Sequence, residues 1–98
     1  MKYEFIGWCK QDNHDKVWGA IKLRPVTQFE MDVVIFWGRR GKKLQTKIIH
    51  TSMWSLETMI NSKIDKGYTP INHSKLDEVY PEFEKDLSKT AMWAMLKV

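Results

Sequence analysis

The side chains best suited to chemistry crowd into a short stretch. Trp37 is followed by Arg39, Arg40, Lys42, Lys43 and Lys47, with no acid between positions 39 and 47. Guanidinium groups can grip a phosphate bidentately, whereas lysines act as point charges. A flat indole face beside them can stack on a base or a sugar, an interaction worth ~1–3 kcal/mol per base and tolerant of sequence. The residues elsewhere suit catalysis poorly. His14, His50 and His73 lack metal-ligand spacing, Cys9 has no partner cysteine, and no nucleophile motif is present. The expectation is therefore a non-enzyme with no metal and no cofactor.

Two look-alike motifs fail on context. Gly38-Arg-Arg-Gly41 reads as the G-x-x-G with which KH domains clamp an RNA backbone. That loop joins two helices, whereas a β-branched run precedes this one. It is not a P-loop either, because only two residues separate the glycines and Leu44 stands where Ser or Thr is required.

The formal net charge of +4 hides its distribution. Residues 16–51 hold eight cations against two acids, and the flanking segments sit at or just below zero. The excess is thus a patch, which raises the expectation of an anionic partner such as nucleic acid. Ninety-eight residues suit one small domain, since domains take ~100–200. No apolar run approaches the ~20 residues of a membrane span, and no leader pattern is visible. Together with the lone cysteine, this predicts an intracellular protein (cytoplasm or nucleoid, or nucleus in a eukaryote).

The elements that must position the patch read as strands first and helices afterwards. Tyr3–Cys9, Lys16–Leu23, Asp32–Trp37 and Leu44–Thr51 are β-prone and separated by turn formers. Val17, Gly19, Ile21 and Leu23 alternate with Lys16, Trp18, Ala20 and Lys22, which predicts a half-buried strand. From Ser52 the period changes. Leu56, Met59, Ile60 and Ile64 share one helical side, Ser52 or Ser55 is the N-cap, and Gly67 takes the position past the end. A further helical turn is expected near Ser74–Tyr80. A second helix is expected from about Pro81 to Leu96, with Glu82, Glu84 and Asp86 early and Lys89 and Lys97 late. The fold class is α+β: a small antiparallel sheet of about four strands, one packed helix and a C-terminal helix.

Trp37-Gly-Arg-Arg-Gly-Lys-Lys-Leu-Gln45 resembles the signature of the WGR domain family, roughly W-G-R-x-G-x-x-G-Q. Lys63-Ile-Asp-Lys-Gly-Tyr68 resembles the family's K-x-x-K-G-Y element, and Lys16–Leu23 its opening strand. The likeness covers about residues 16–70 and leaves 71–98 as a C-terminal helical extension of a single domain. The resemblance implies a compact sheet with a packed helix. It also implies binding to DNA ends and breaks, as in poly(ADP-ribose) polymerases, and carries that role to Trp37 and Arg39. Two positions depart from the pattern: Leu44 replaces a Gly, and Arg40 a common Val or Ile. No transferase segment accompanies the likeness.

The expected nucleic-acid contacts are Trp37, Gly38, Arg39, Arg40, Lys42, Lys43, Gln45 and Lys47, with DNA as the first partner and RNA as the second. Strand alternation puts Gln45 and Lys47 on one face. The other reading is a protein-interaction or inhibitor-type module. Ala91–Leu96 is apolar all round, and such a helix is buried or bound. Either Phe83, Leu87, Ala91 and Ala94 dock on the sheet, or Met92, Trp93 and Met95 face a protein partner or a second copy.

Overall fold

The alternating segments become strands in a computed structural model, which describes residues 3–96. They are β1 (Tyr3–Gln11), β2 (His14–Pro25), β3 (Glu30–Arg39) and β4 (Gln45–Ser52), joined by a short β5 (Thr69–Pro70). Neighbours are antiparallel in the order β4-β3-β2-β1-β5. The mixed α+β class is as the sequence predicts. The fifth strand is an addition: two residues are too few to show alternation, yet they pair with Gly7 and Trp8.

Helix α1 (Met53–Asp65) starts where Ser52 Oγ accepts a bond from the Ser55 backbone N–H at 3.1 Å. Leu56 is buried, Met59 and Ile60 are half-buried, and Ile64 is exposed, so the apolar side packs for two turns and then lifts away. The helix closes in a Schellman arrangement. Gly67 N–H reaches the Ile64 carbonyl, Tyr68 N–H reaches that of Lys63, and Gly67 takes φ +106°. That closure turns Tyr68 back against the sheet, where it is buried.

β2 is not half-buried as its alternation predicts. Val17, Trp18, Ala20 and Ile21 are all buried, because both faces of the sheet are covered. On one face, α1 and Tyr68 pack with Cys9, Trp18, Val33 and Ile35. On the other, Tyr80, Phe83 and Leu87 pack with Ile6, Val17, Ile21, Phe36 and Leu44. Residues 3–15 and 71–96 thus share the core of the 16–70 segment.

The single helix expected over residues 81–96 is broken. α2 (His73–Val79) is followed by α3 (Phe83–Leu87) and α4 (Trp93–Leu96). Ser88 Oγ donates to the Lys85 carbonyl at 2.6 Å, and Thr90 Oγ1 to that of Leu87 at 2.7 Å. Such local hydroxyl bonds compete with the continuing helical ladder. With the helix broken, Ala91 and Ala94 are exposed, Trp93 packs against the core, Met92 is half-buried and Met95 remains exposed. Lys97 lies outside the described residues. Among the described residues, no helix is long and apolar enough to cross a membrane.

Candidate nucleic-acid interface

The register of the sheet assembles the site. Trp18 lies opposite Trp37 and Lys16 opposite Arg39 on β2 and β3, while β4 sets Lys47 opposite Ile35. Alternation directs these side chains to the face that carries α1. A groove of about 560 Å³ results, with buried Trp18 and Tyr68 at its base and Trp37 and Met59 among its walls. Lys16, Arg39, Lys47 and Lys63 also line it.

Each lysine stands over an aromatic ring. Lys63 Nζ is 5.3 Å from the Trp18 ring centroid, Lys47 Nζ 5.7 Å from Trp37, and Lys16 Nζ 5.8 Å from Tyr68. These distances suit cation–π attraction. The ammonium groups also repel one another. Partial burial, then Lys66, Lys16 and Lys47, hold the Lys63 amine below its ordinary pKa. The lining includes one acid, Asp15, and that carboxylate is already engaged. It accepts from Trp8 Nε1 at 2.7 Å and from Arg40 Nη2 at 3.1 Å, which keeps it well ionised. The groove is therefore a positive, aromatic-walled space without a free counter-charge among the described residues.

The residues singled out in the sequence divide among several places. Trp37, Gly38, Arg39 and Lys47 line the groove, and among the described residues the Arg39 side chain makes one hydrogen bond, donating to the Asn13 carbonyl at 3.1 Å. Lys42 is exposed on the turn, where Gly41 takes φ +81° with open space around it. Lys43 and Gln45 line a different cavity at the start of β4. Gln45 and Lys47 therefore do not share the groove, despite their alternation.

Arg40 departs furthest from expectation. Its guanidinium lies 4.7 Å from the Trp8 ring centroid and donates to Asp15 and to the Val79 carbonyl. These internal contacts make it a brace for the turn rather than an open phosphate ligand. Leu44 is likewise a core residue, 1% exposed, packed with Tyr80 and Phe36. Both departures from the WGR pattern thus lie against the C-terminal extension.

Lys16, Trp18, Lys63 and Tyr68 are among the lining residues outside the expected set. Alternation already put Lys16 and Trp18 on one face, and Lys63 and Tyr68 stand in the second family-like element. What the sequence lacks is the pairing that brings the two segments together.

Among the described residues, no three His, Cys, Asp or Glu side chains are grouped to hold a metal ion. The fold and this geometry define a class, a mixed α+β domain with a cationic, aromatic groove on one sheet face. No family model matches the chain, nor does any curated protein or solved structure.

Proposed function

We propose that this chain binds nucleic acid, DNA first and at its ends or breaks, through the groove between the sheet and α1, without catalysing a reaction. The observation that carries this reading is the convergence of Lys16, Arg39, Lys47 and Lys63 on a groove walled by Trp18, Trp37 and Tyr68. Uncompensated cations call for an anion, and aromatic walls call for a flat or apolar moiety beside it. A nucleotide supplies both. The duplex is too broad to enter a space of about 560 Å³, since its major groove alone is ~12 Å wide. A terminal or unpaired nucleotide is the part of DNA that suits it. The WGR-like motifs point to the same ligand, and the reading carries an intracellular location with it.

The test is a titration of labelled DNA with and without free ends at two salt concentrations. Four phosphate contacts give a log–log salt slope of about −3.6, at ~0.9 per contact on duplex DNA. Tighter binding to DNA with ends supports the reading, and absent or salt-insensitive binding removes it.

The second reading is a protein-binding module. It is favoured by an exposed apolar cluster at the far end of the sheet, where Phe29 and Trp54 have ring centroids 5.0 Å apart, with Met53 also exposed. Met95 is the exposed member of the C-terminal set. Light scattering on the protein and on Trp54→Glu and Met95→Glu variants discriminates: a fall in mass for either variant identifies self-association.

A further inference from the structure

A second cavity, of about 410 Å³, opens at the start of β4, where the turn after α3 approaches the sheet. Lys43, Gln45 and Thr46 line it from the sheet side, and Lys89 and Thr90 from the extension. Its lining contains no acid, and neither lysine joins an ion pair among the described residues. The Oγ1 of Thr46, one of these lining residues, is buried without a hydrogen-bond partner, the sole such side-chain atom among the described residues. Buried hydroxyls nearly always find a partner, so an orphan on a residue that lines a two-lysine cavity points to an acceptor oxygen from outside the chain.

Position ties this cavity to the groove. Gln45 and Lys47 stand two residues apart on β4, roughly 7 Å of extended chain. Thr46, between them, points to the opposite face by the strand's alternation. β4 is also an edge strand of the sheet. A chain of phosphates leaving the groove past Lys47 can therefore turn round this open edge and meet Lys43 and Lys89 on the other side.

We infer that Lys43, Lys89 and the Thr46 hydroxyl form a second phosphodiester subsite, which takes the continuation of a single strand whose neighbouring nucleotide occupies the groove. The inference rests on the nucleic-acid reading above and adds a path to it. It also gives the C-terminal extension a direct part in binding, through Lys89.

The experiment compares two probes, a thymidylate dinucleotide that fills the groove alone and a single strand of about twelve nucleotides. Binding to the full chain is followed by tryptophan fluorescence and anisotropy, with Lys89→Gln, Thr46→Val and, as a control, Lys85→Gln on the exposed side of α3. Lys89→Gln is expected to weaken the longer strand about 3- to 10-fold and to flatten its salt slope by ~0.7, the value of one single-strand phosphate contact. Thr46→Val is expected to weaken the longer strand while raising the melting temperature, because it removes the orphan hydroxyl. The dinucleotide should bind all variants equally.

If Lys89→Gln behaves as Lys85→Gln does on the longer strand, or if the dinucleotide suffers the same loss, the subsite is overturned while the groove reading stands. If neither probe binds the unaltered chain, the groove reading falls and the subsite falls with it.

Discussion

Arg40 Nη1 donates to the Val79 carbonyl at 2.6 Å, tying the turn after β3 to the end of α2 across 39 positions of sequence. Beside it, Tyr80 packs against Leu44, and its OH donates to Asp86 Oδ2 at 2.5 Å. The extension therefore holds the Trp37–Gly41 turn from behind.

Adjacent arginines should consequently fail in different ways. Arg39→Ala is expected to weaken DNA binding several-fold with nearly unchanged thermal unfolding, since Arg39 is exposed and makes one backbone contact. Arg40→Ala should lower stability by ~1–3 kcal/mol, as expected when hydrogen-bonded groups lose a partner. Denaturant melts of both variants, read beside anisotropy titrations, check the division. Equal stability losses would refute it.

Tyr80→Phe isolates the Tyr80–Asp86 bond. The substitution keeps the ring packing against Phe83 and leaves Asp86, only 9% exposed, without the hydroxyl bond. The expected cost is ~1–3 kcal/mol in chemical denaturation. The hydroxyl's own ionisation lies above the ordinary tyrosine range because of burial and then the Asp86 bond, so absorbance at alkaline pH should show Tyr80 titrating last among the tyrosines or only on unfolding.

Lys63 should oppose stability and binding to each other. Its folded-state pKa is lowered, chiefly by desolvation and then by Lys66, Lys16 and Lys47. Charging it in the groove therefore costs folding free energy below that pKa, and the cost is relieved as pH rises through it. Lys63→Met keeps an unbranched chain over Trp18 and removes the charge. The melting temperature at neutral pH should rise while DNA affinity falls. A fall in both would make the lysine chiefly a packing residue.

The far end of the sheet carries a pH-dependent cluster. His50 lies 3.0 Å from both Glu30 and Asp32, whose hydrogen bonds raise its pKa, while both carboxylates titrate below their usual range. The imidazolium contribution is complete below the unfolded histidine value of ~6.5 and disappears as pH rises through the raised folded value. The carboxylate contribution is complete above ~4.3 and disappears as pH falls through the lowered values. Stability from the cluster is therefore greatest between those limits. His50→Gln should flatten the decline in melting temperature from mildly acidic to mildly alkaline pH, and an unchanged slope would count against the cluster.

Strand positions were legible because apolar and aromatic residues alternate through the first half, and the helix from Met53 because its apolar spacing comes with a serine cap and Gly67. The broken C-terminal helix was not. Ser88 and Thr90 are tolerable inside a helix by type, and only their bonds to Lys85 and Leu87 reveal the stop. In the site, Trp37, Arg39 and Lys47 were visible as a cluster along the chain. Lys16 and Lys63 were not, since they join it through the β2–β3 register and the closure of α1. Arg40 shows the converse: a cation within a charge run can belong to the interior when an indole, a carboxylate and a carbonyl wait for it.

β3 begins at Glu30, beside His50 and next to the exposed ring of Phe29, and ends at Arg39 in the groove. Ten strand residues span roughly 30 Å. One rod thus carries an acidic, aromatic head and a cationic tail, with its flanks covered on both sides. A molecule gripped by the tail holds its head up and away from whatever it sits on, oriented like a flag on a short pole.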